Sequence, residues 1–215
     1  MRRNRRWRTL FCALGLGAVL ATAGNASALT LADLDGGASF IVSGLTFANF
    51  HATVTGDLMP DLAQYPVQPL ADGFLLSGPL YVVGGGGGTL LLSYQVTATD
   101  PILVGASLSA AGTTIGAGAL ALVGESMFGP ASEFLGSLFA YDIAGFGSDP
   151  TDSIAFGPVP QISVAKTVNL GGGALATVPV IGQRFQFVPE PVSMLLLTMG
   201  LVGLAWWRPR RMLAD

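Results

Sequence analysis

Residues 29–187 contain 25 glycines and show no sustained helical period. Glycine at this frequency weakens helix interiors, and the pattern that remains is one of short strands joined by tight turns. The clearest strand is TLLLSYQVTAT, Thr89 to Thr99. Leu90, Leu92, Tyr94, Val96 and Ala98 fall on one face, and Ser93, Gln95, Thr97 and Thr99 on the other, the period-two signature of a half-buried strand. Asp100-Pro101 breaks the run, and Ile102, Val104, Ala106 and Leu108 begin a second one. Further strands are predicted around Phe40 to Thr55, Phe74 to Val83, Ala117 to Val123, Leu135 to Ile143, Gln161 to Leu170, Ala174 to Val180 and Arg184 to Val188. Turn residues separate most of them: Gly36-Gly37, Gly84 to Gly88, Gly112, Asp149-Pro150 and Gly171 to Gly173. About eight to ten short strands at this spacing predict an all-β domain over residues 29–187, an antiparallel sandwich of jelly-roll-like form.

Charge is segregated along the chain. Arg2, Arg3, Arg5, Arg6 and Arg8 crowd one end, and Arg208, Arg210 and Arg211 the other. Between Leu29 and Phe187 only Lys166 and Arg184 are basic, against eleven Asp and Glu, so the body carries a net charge of about −9. An acidic body with two cations cannot neutralise a phosphate backbone, which excludes nucleic acid as a partner. Two basic ends instead suggest membrane topology signals. The single cysteine, Cys12, lies before the body, which therefore has no disulfide and no thiolate chemistry of its own.

The first 28 residues have the form of a secretory signal peptide: the basic MRRNRRWR, the apolar run Leu10 to Ala23, and Gly24-Asn25-Ala26-Ser27-Ala28. The apolar run is short for a membrane span, and the small residues Ala26 and Ala28 predict cleavage by signal peptidase after Ala28. Cys12 sits too early for a lipoprotein signal, and the arginine pairs lack twin-arginine flanks, so general secretion is expected.

Residues 188–215 carry the most specific pattern. Val188-Pro189-Glu190-Pro191 precedes an apolar stretch, Val192 to Trp207, and then Arg208-Pro209-Arg210-Arg211. The prolines end the folded domain. The apolar stretch as a helix would measure roughly 24 Å, with Trp206 and Trp207 at an interface beside cytoplasmic arginines. The orientation predicted is body outside, arginines inside. This tail resembles the PEP-CTERM sorting domain of exported bacterial proteins, in which a Pro-Glu-Pro motif, a short transmembrane helix and a basic end are read by an exosortase, a membrane transpeptidase. The resemblance implies that Pro189, Glu190 and Pro191 are the recognition residues. It also implies an inner-membrane precursor with its body in the periplasm, later moved to the cell surface or matrix, and a link to exopolysaccharide and biofilm. SGLTFANF, ISVAKTVNL and RFQFVPEP resemble segments of β domains attached to such tails.

Within the body, chemistry-bearing motifs are sparse. Gly84 to Gly88 follows a strand-like run but precedes another strand, so it lacks the helix N-terminus a phosphate cradle needs and is expected to form a hairpin loop. Gly124-Glu125-Ser126-Met127-Phe128-Gly129 is one residue too long for a serine elbow. His51 lies in the strand-like FHATVT, beside Thr53 and Thr55, and is expected on a strand surface. Asp33-Leu34-Asp35-Gly36-Gly37 spaces oxygen ligands as calcium loops do, although Gly44 stands where an EF-hand needs a carboxylate. Asp33 and Asp35 are weak calcium candidates beside the expectation of a solvated turn, and Asp149 with Asp152 forms a second acidic turn.

These features predict a non-enzymatic, cofactor-free surface or matrix protein. The alternatives are a carbohydrate-binding module, with Tyr65, Tyr81, Tyr94 and Tyr141 as platform candidates, and a polysaccharide-modifying enzyme, which needs two facing carboxylates.

Overall fold

The computed structural model describes residues 29–58, 61–99, 102–188 and 197–202. Twelve strands among these residues form two antiparallel sheets packed face to face. The strands are β1 (Phe40–Val42), β2 (Leu45–Gly56), β3 (Val67–Leu70), β4 (Gly73–Val83), β5 (Gly87–Ala98) and β6 (Ile102–Ile115). They continue with β7 (Leu120–Phe128), β8 (Phe134–Ile143), β9 (Gly147–Asp149), β10 (Thr151–Val159), β11 (Gln161–Gly171) and β12 (Leu175–Val188). The seven-stranded sheet runs β1-β2-β5-β11-β7-β8-β9 and the five-stranded sheet β10-β6-β12-β4-β3. Three of the four edges are very short strands, which leaves little unpaired backbone for edge-to-edge association. The expected all-β antiparallel sandwich is what the chain forms.

Alternation sets which side chains meet between the sheets. On β5, Leu90, Leu92, Tyr94, Val96 and Ala98 are all buried, as their phase predicted. On β2 the phase changes within the strand: Leu45 and Phe47 point inward, and so do Phe50 and Ala52. A bulge between Ala48 and His51 absorbs the extra residue. Asn49 takes a left-handed φ of 56° there, a conformation Asn tolerates better than most residues, and its side-chain amide donates to Gln95 Oε1 at 2.7 Å. The bulge puts Phe47 and Phe50 in one aromatic cluster with Phe40, Phe74, Tyr94 and Phe185.

Several expected boundaries move. Gly112 does not end a strand, because β6 runs through it. The segments expected at Ala174 to Val180 and Arg184 to Val188 are one strand, β12, with a register shift around Pro179 in place of a break. Gly84 to Gly88 does not close a hairpin. It carries the chain from β4 in one sheet to β5 in the other, with Gly84 and Gly85 at φ 65° and 79° making the reversal. Strand β10, not expected at all, is an edge strand of mixed polarity with Pro158 near its end.

Asp33-Leu34-Asp35 lies in α1 (Leu31–Asp35), a helix where a calcium-type loop was considered. Thr30 and Asp33 form a reciprocal capping box: Asp33 N donates to Thr30 Oγ1, and Asp33 Oδ2 accepts from Thr30 N and Oγ1. Those hydrogen bonds hold the Asp33 carboxyl below its ordinary value. Leu31 and Leu34 are buried and anchor the turn to the core.

Residues 197–202 are helical, with exposed Leu197, Met199, Leu201 and Val202. No helix among the described residues is long and apolar enough to cross a membrane. Ala26, Ala28, Pro189, Glu190 and Pro191 lie outside the described residues.

Candidate functional site

The outer face of the seven-stranded sheet is the first candidate surface. Register places Phe139, Gly124, Thr167, Leu91 and Thr53 in one row across β8, β7, β11, β5 and β2. The next row is Tyr141, Leu122, Asn169, Thr89 and Thr55. Phe139 is 52% exposed and Tyr141 37%, and Leu91 also stands out to solvent. Gly124 makes this possible, since a Cβ there would lie 3.3 Å from Phe139 Cε1, so the ring reclines over the glycine. Thr89 Oγ1 donates to Asn169 Oδ1 at 2.9 Å, which pins one polar pair beside the rings. A shallow cleft of about 260 Å³ runs along this face between His51, Thr53, Leu91 and Thr167.

His51 is on the strand surface beside Thr53, as expected, but it has a neighbour that sequence spacing could not show. Its Nδ1 lies 3.2 Å from Asp35 Oδ1, which also accepts from Ala52 N at 2.7 Å. Asp35 thus ties α1 to β2. Asp33 and Asp35, two apart on a helix, point to different sides, and each already receives protein donors.

The platform tyrosines sort by burial. Tyr65 and Tyr94 are interior, Tyr81 is half-buried, and Tyr141 stands on the outer face. Burial, with Tyr81 and Asp61 as smaller influences, pushes the Tyr65 phenol up. Phe139 was not among the platform candidates; it shares its phase of β8 with Leu135, Ser137, Tyr141 and Ile143, and a phase this apolar does not mark an outward face in the sequence.

A second, polar cleft of about 420 Å³ lies on the outer face of the five-stranded sheet, lined by Ser107, Ser109, Thr151, Asp152, Ser153 and Arg184. Asp152 is the only carboxylate in this lining, so the cleft does not supply the facing acids of glycoside hydrolysis. Both its oxygens accept backbone donors, Oδ2 from Phe139 N and Oδ1 from Ser153 N. Asp149 Oδ1 lies 3.5 Å from Thr151 N. Arg184 pairs with Asp72 at 3.2 Å.

The third feature is interior. Lys166 on β11 and Glu125 on β7 are directly opposite in register and point between the sheets, each 2% exposed. Lys166 Nζ donates to Glu125 Oε2 and, at 2.8 Å, to Oε1 of Gln183 on β12 of the other sheet. Tyr94 OH, Glu125 Oε1 and Gln183 Nε2 are buried without a hydrogen-bond partner in the described structure. Burial, and then the charge of Glu125, drive the Tyr94 phenol well above its ordinary range, so it remains a neutral donor. The sequence signal was present: Lys166 stands in the apolar phase of Ile162, Val164, Val168 and Leu170.

No family model matches the sequence, and no curated protein matches it. Among solved structures, TmCBM61 in complex with beta-1,4-galactotriose is similar over 63% of this chain and 88% of its own, at 10% identity and a TM-score of 0.36. Carbohydrate-binding modules from the beta-sandwich superfamily are similar over 69% of this chain and 58% of theirs, at 11% identity and a TM-score of 0.30. The enzymatically active domain of tailspike protein 4 from bacteriophage CBA120 covers 68% of this chain and 20% of its own, at 15% identity and a TM-score of 0.27. Likenesses this distant assign no ligand to the chain.

Proposed function

We propose that this is an exported, non-enzymatic β-sandwich protein of the extracellular polymer, delivered through a PEP-CTERM-type tail and meeting polysaccharide on the outer face of its seven-stranded sheet. The supporting observation is the exposed pair Phe139 and Tyr141, in register with threonines across five strands. A sugar ring has an apolar C–H face and a rim of hydroxyls. An aromatic side chain lying on the sheet meets the first, while Thr53, Thr89, Thr167 and Asn169 meet the second. Exposed apolar groups clustered in this way mark binding surfaces more often than chance placement. The acidic, cysteine-free body suits a role outside the cell, and the tail at Pro189, Glu190 and Pro191 supplies the route.

Affinity electrophoresis of the full chain in polysaccharide extracted from the native host's matrix tests the binding surface. Phe139→Ala and Tyr141→Ala are each expected to weaken retention about tenfold, the loss of one anchoring contact of about 1.4 kcal/mol. Equal retention of wild type and the double variant would move binding away from this face, and no retention of wild type would sink the polysaccharide reading.

Intact mass from native-host fractions tests delivery. The expected species begins at Leu29, ends near Pro189 to Pro191 and lies outside the membrane fraction. A species that keeps residues 192–215 and is confined to the membrane would overturn the sorting step and leave a plainly anchored domain.

A further inference from the structure

We propose that the interior cluster is a self-modification site, at which Lys166 Nζ and Gln183 Cδ join in an amide bond that staples the two sheets, with Glu125 as the proton carrier. Lys166 belongs to the seven-stranded sheet and Gln183 to the five-stranded one. Nζ already donates to Gln183 Oε1 at 2.8 Å. The carbonyl carbon lies one bond, about 1.23 Å, from that oxygen, so amine and carbon stand within about 4 Å before any side-chain adjustment. Reactants held at such separations gain the large effective concentration that makes intramolecular acyl transfer competitive.

Burial supplies the rest. The side chains of Lys166 and Glu125 are 1% and 0% exposed, which excludes the water that would compete as nucleophile. Keeping an ammonium and a carboxylate out of water is costly. Passing one proton from Lys166 Nζ to Glu125 Oε2 removes both charges at once and leaves a free amine, the nucleophilic form.

The amine lone pair then forms the N–C bond at Cδ while the carbonyl electrons move onto Oε1. Protonated Glu125 delivers its proton to the departing nitrogen. Glu125 Oε1 and Gln183 Nε2 have no hydrogen-bond partner, so no other group holds them against the side-chain turn that brings the carboxyl proton to that nitrogen. The C–Nε2 bond breaks as the carbonyl re-forms, and Glu125 takes the surplus proton from the new amide nitrogen and passes it to the released ammonia. In sum, the Lys166 ammonium and the Gln183 carboxamide become one secondary amide and one ammonium ion, with Glu125 regenerated and no oxidant or cofactor consumed.

Such a bond has a clear structural consequence. The chain's one cysteine lies at position 12, ahead of the domain, so no disulfide can tie these sheets together. An amide between Lys166 and Gln183 would link them at the centre of the sandwich.

The test is the intact mass of the full wild-type chain, compared with the sequence mass for its own measured termini. The expected result is a deficit of about 17 Da, one ammonia. Tandem mass spectrometry should then find a branched peptide joining Lys166 to Gln183, with no tryptic cleavage after Lys166. Glu125→Gln is expected to keep the full mass, and the same deficit in that variant would overturn the role of Glu125. Should that variant fail to fold, the wild-type measurement still decides the bond itself. A wild-type chain of full mass that trypsin cuts after Lys166 would overturn the proposal. A deficit of about 18 Da, one water, with Lys166 joined to Glu125 would overturn Gln183 as the acyl donor.

Discussion

A chain carrying Lys166→Met alone is expected to be less stable, by about 3–5 kcal/mol, than one carrying Lys166→Met together with Glu125→Leu. Both variants lack the amine, so neither can form the amide bond, and the difference between them reads the buried carboxylate alone. In the single variant Glu125, 2% exposed, loses the cation it pairs with and, among the described residues, keeps no donor of comparable strength. Gln183 Nε2 can turn toward it, but a neutral donor compensates only part of the desolvation. In the double variant two apolar side chains occupy a space already walled by Val123, Met127, Val164 and Val168, all buried. Urea unfolding of the two chains measures the gap as a shift in midpoint at equal slope. Coincident midpoints would mean that Glu125 is solvated or re-paired when Lys166 is gone, contrary to its enclosure between the sheets. A gap of the expected size is a large part of the roughly 5–15 kcal/mol that holds a domain together.

The same strands explain what could be read from the chain beforehand. Where one phase of a strand is wholly apolar, as in β5, alternation identified both the element and its buried face, because each inward position contributes to one core. Strand β10 was missed for the opposite reason. TDSIAFGPV sits at a sheet edge with half-exposed Ile154 and Phe156 and no fully apolar phase. The helix α1 is five residues long, below what periodicity can detect, and the Asp33–Asp35 spacing that resembles a ligand loop belongs to a capped helical turn. The interior cluster was hidden differently. Lys166 and Glu125 look like ordinary surface charges until their phase is compared with that of their neighbours. Gln183 fell in a gap between two expected segments that are in fact one strand. The outer platform depends on register across five strands, which no local pattern encodes.

Phe74→Ala is expected to destabilise the domain by about 3–5 kcal/mol, the range for removing a large buried aromatic. Phe74 is 1% exposed on β4 of the five-stranded sheet, and its ring meets four rings of the opposite sheet. It is edge-on to Phe40, Phe47, Phe50 and Tyr94, at centroid separations of 6.0, 5.7, 6.2 and 5.5 Å. Edge-to-face contacts of this kind add stabilisation beyond the area buried. Truncation leaves a cavity where two sheets must meet, and neither sheet can close it without disturbing its own ladder. Phe74→Leu refills most of the volume but loses the ring geometry, so it is expected to fall well short of the alanine effect. Phe146→Ala is the control, because that ring is 89% exposed on the β8–β9 turn and its loss is expected to change stability by no more than about 0.5 kcal/mol. Denaturant unfolding of the three variants separates the cases. If Phe74→Ala were as mild as Phe146→Ala, the six-ring cluster would not be what holds this end of the sandwich together. The contacts of Leu31, Leu34 and Tyr65 beneath α1 would then have to carry that role.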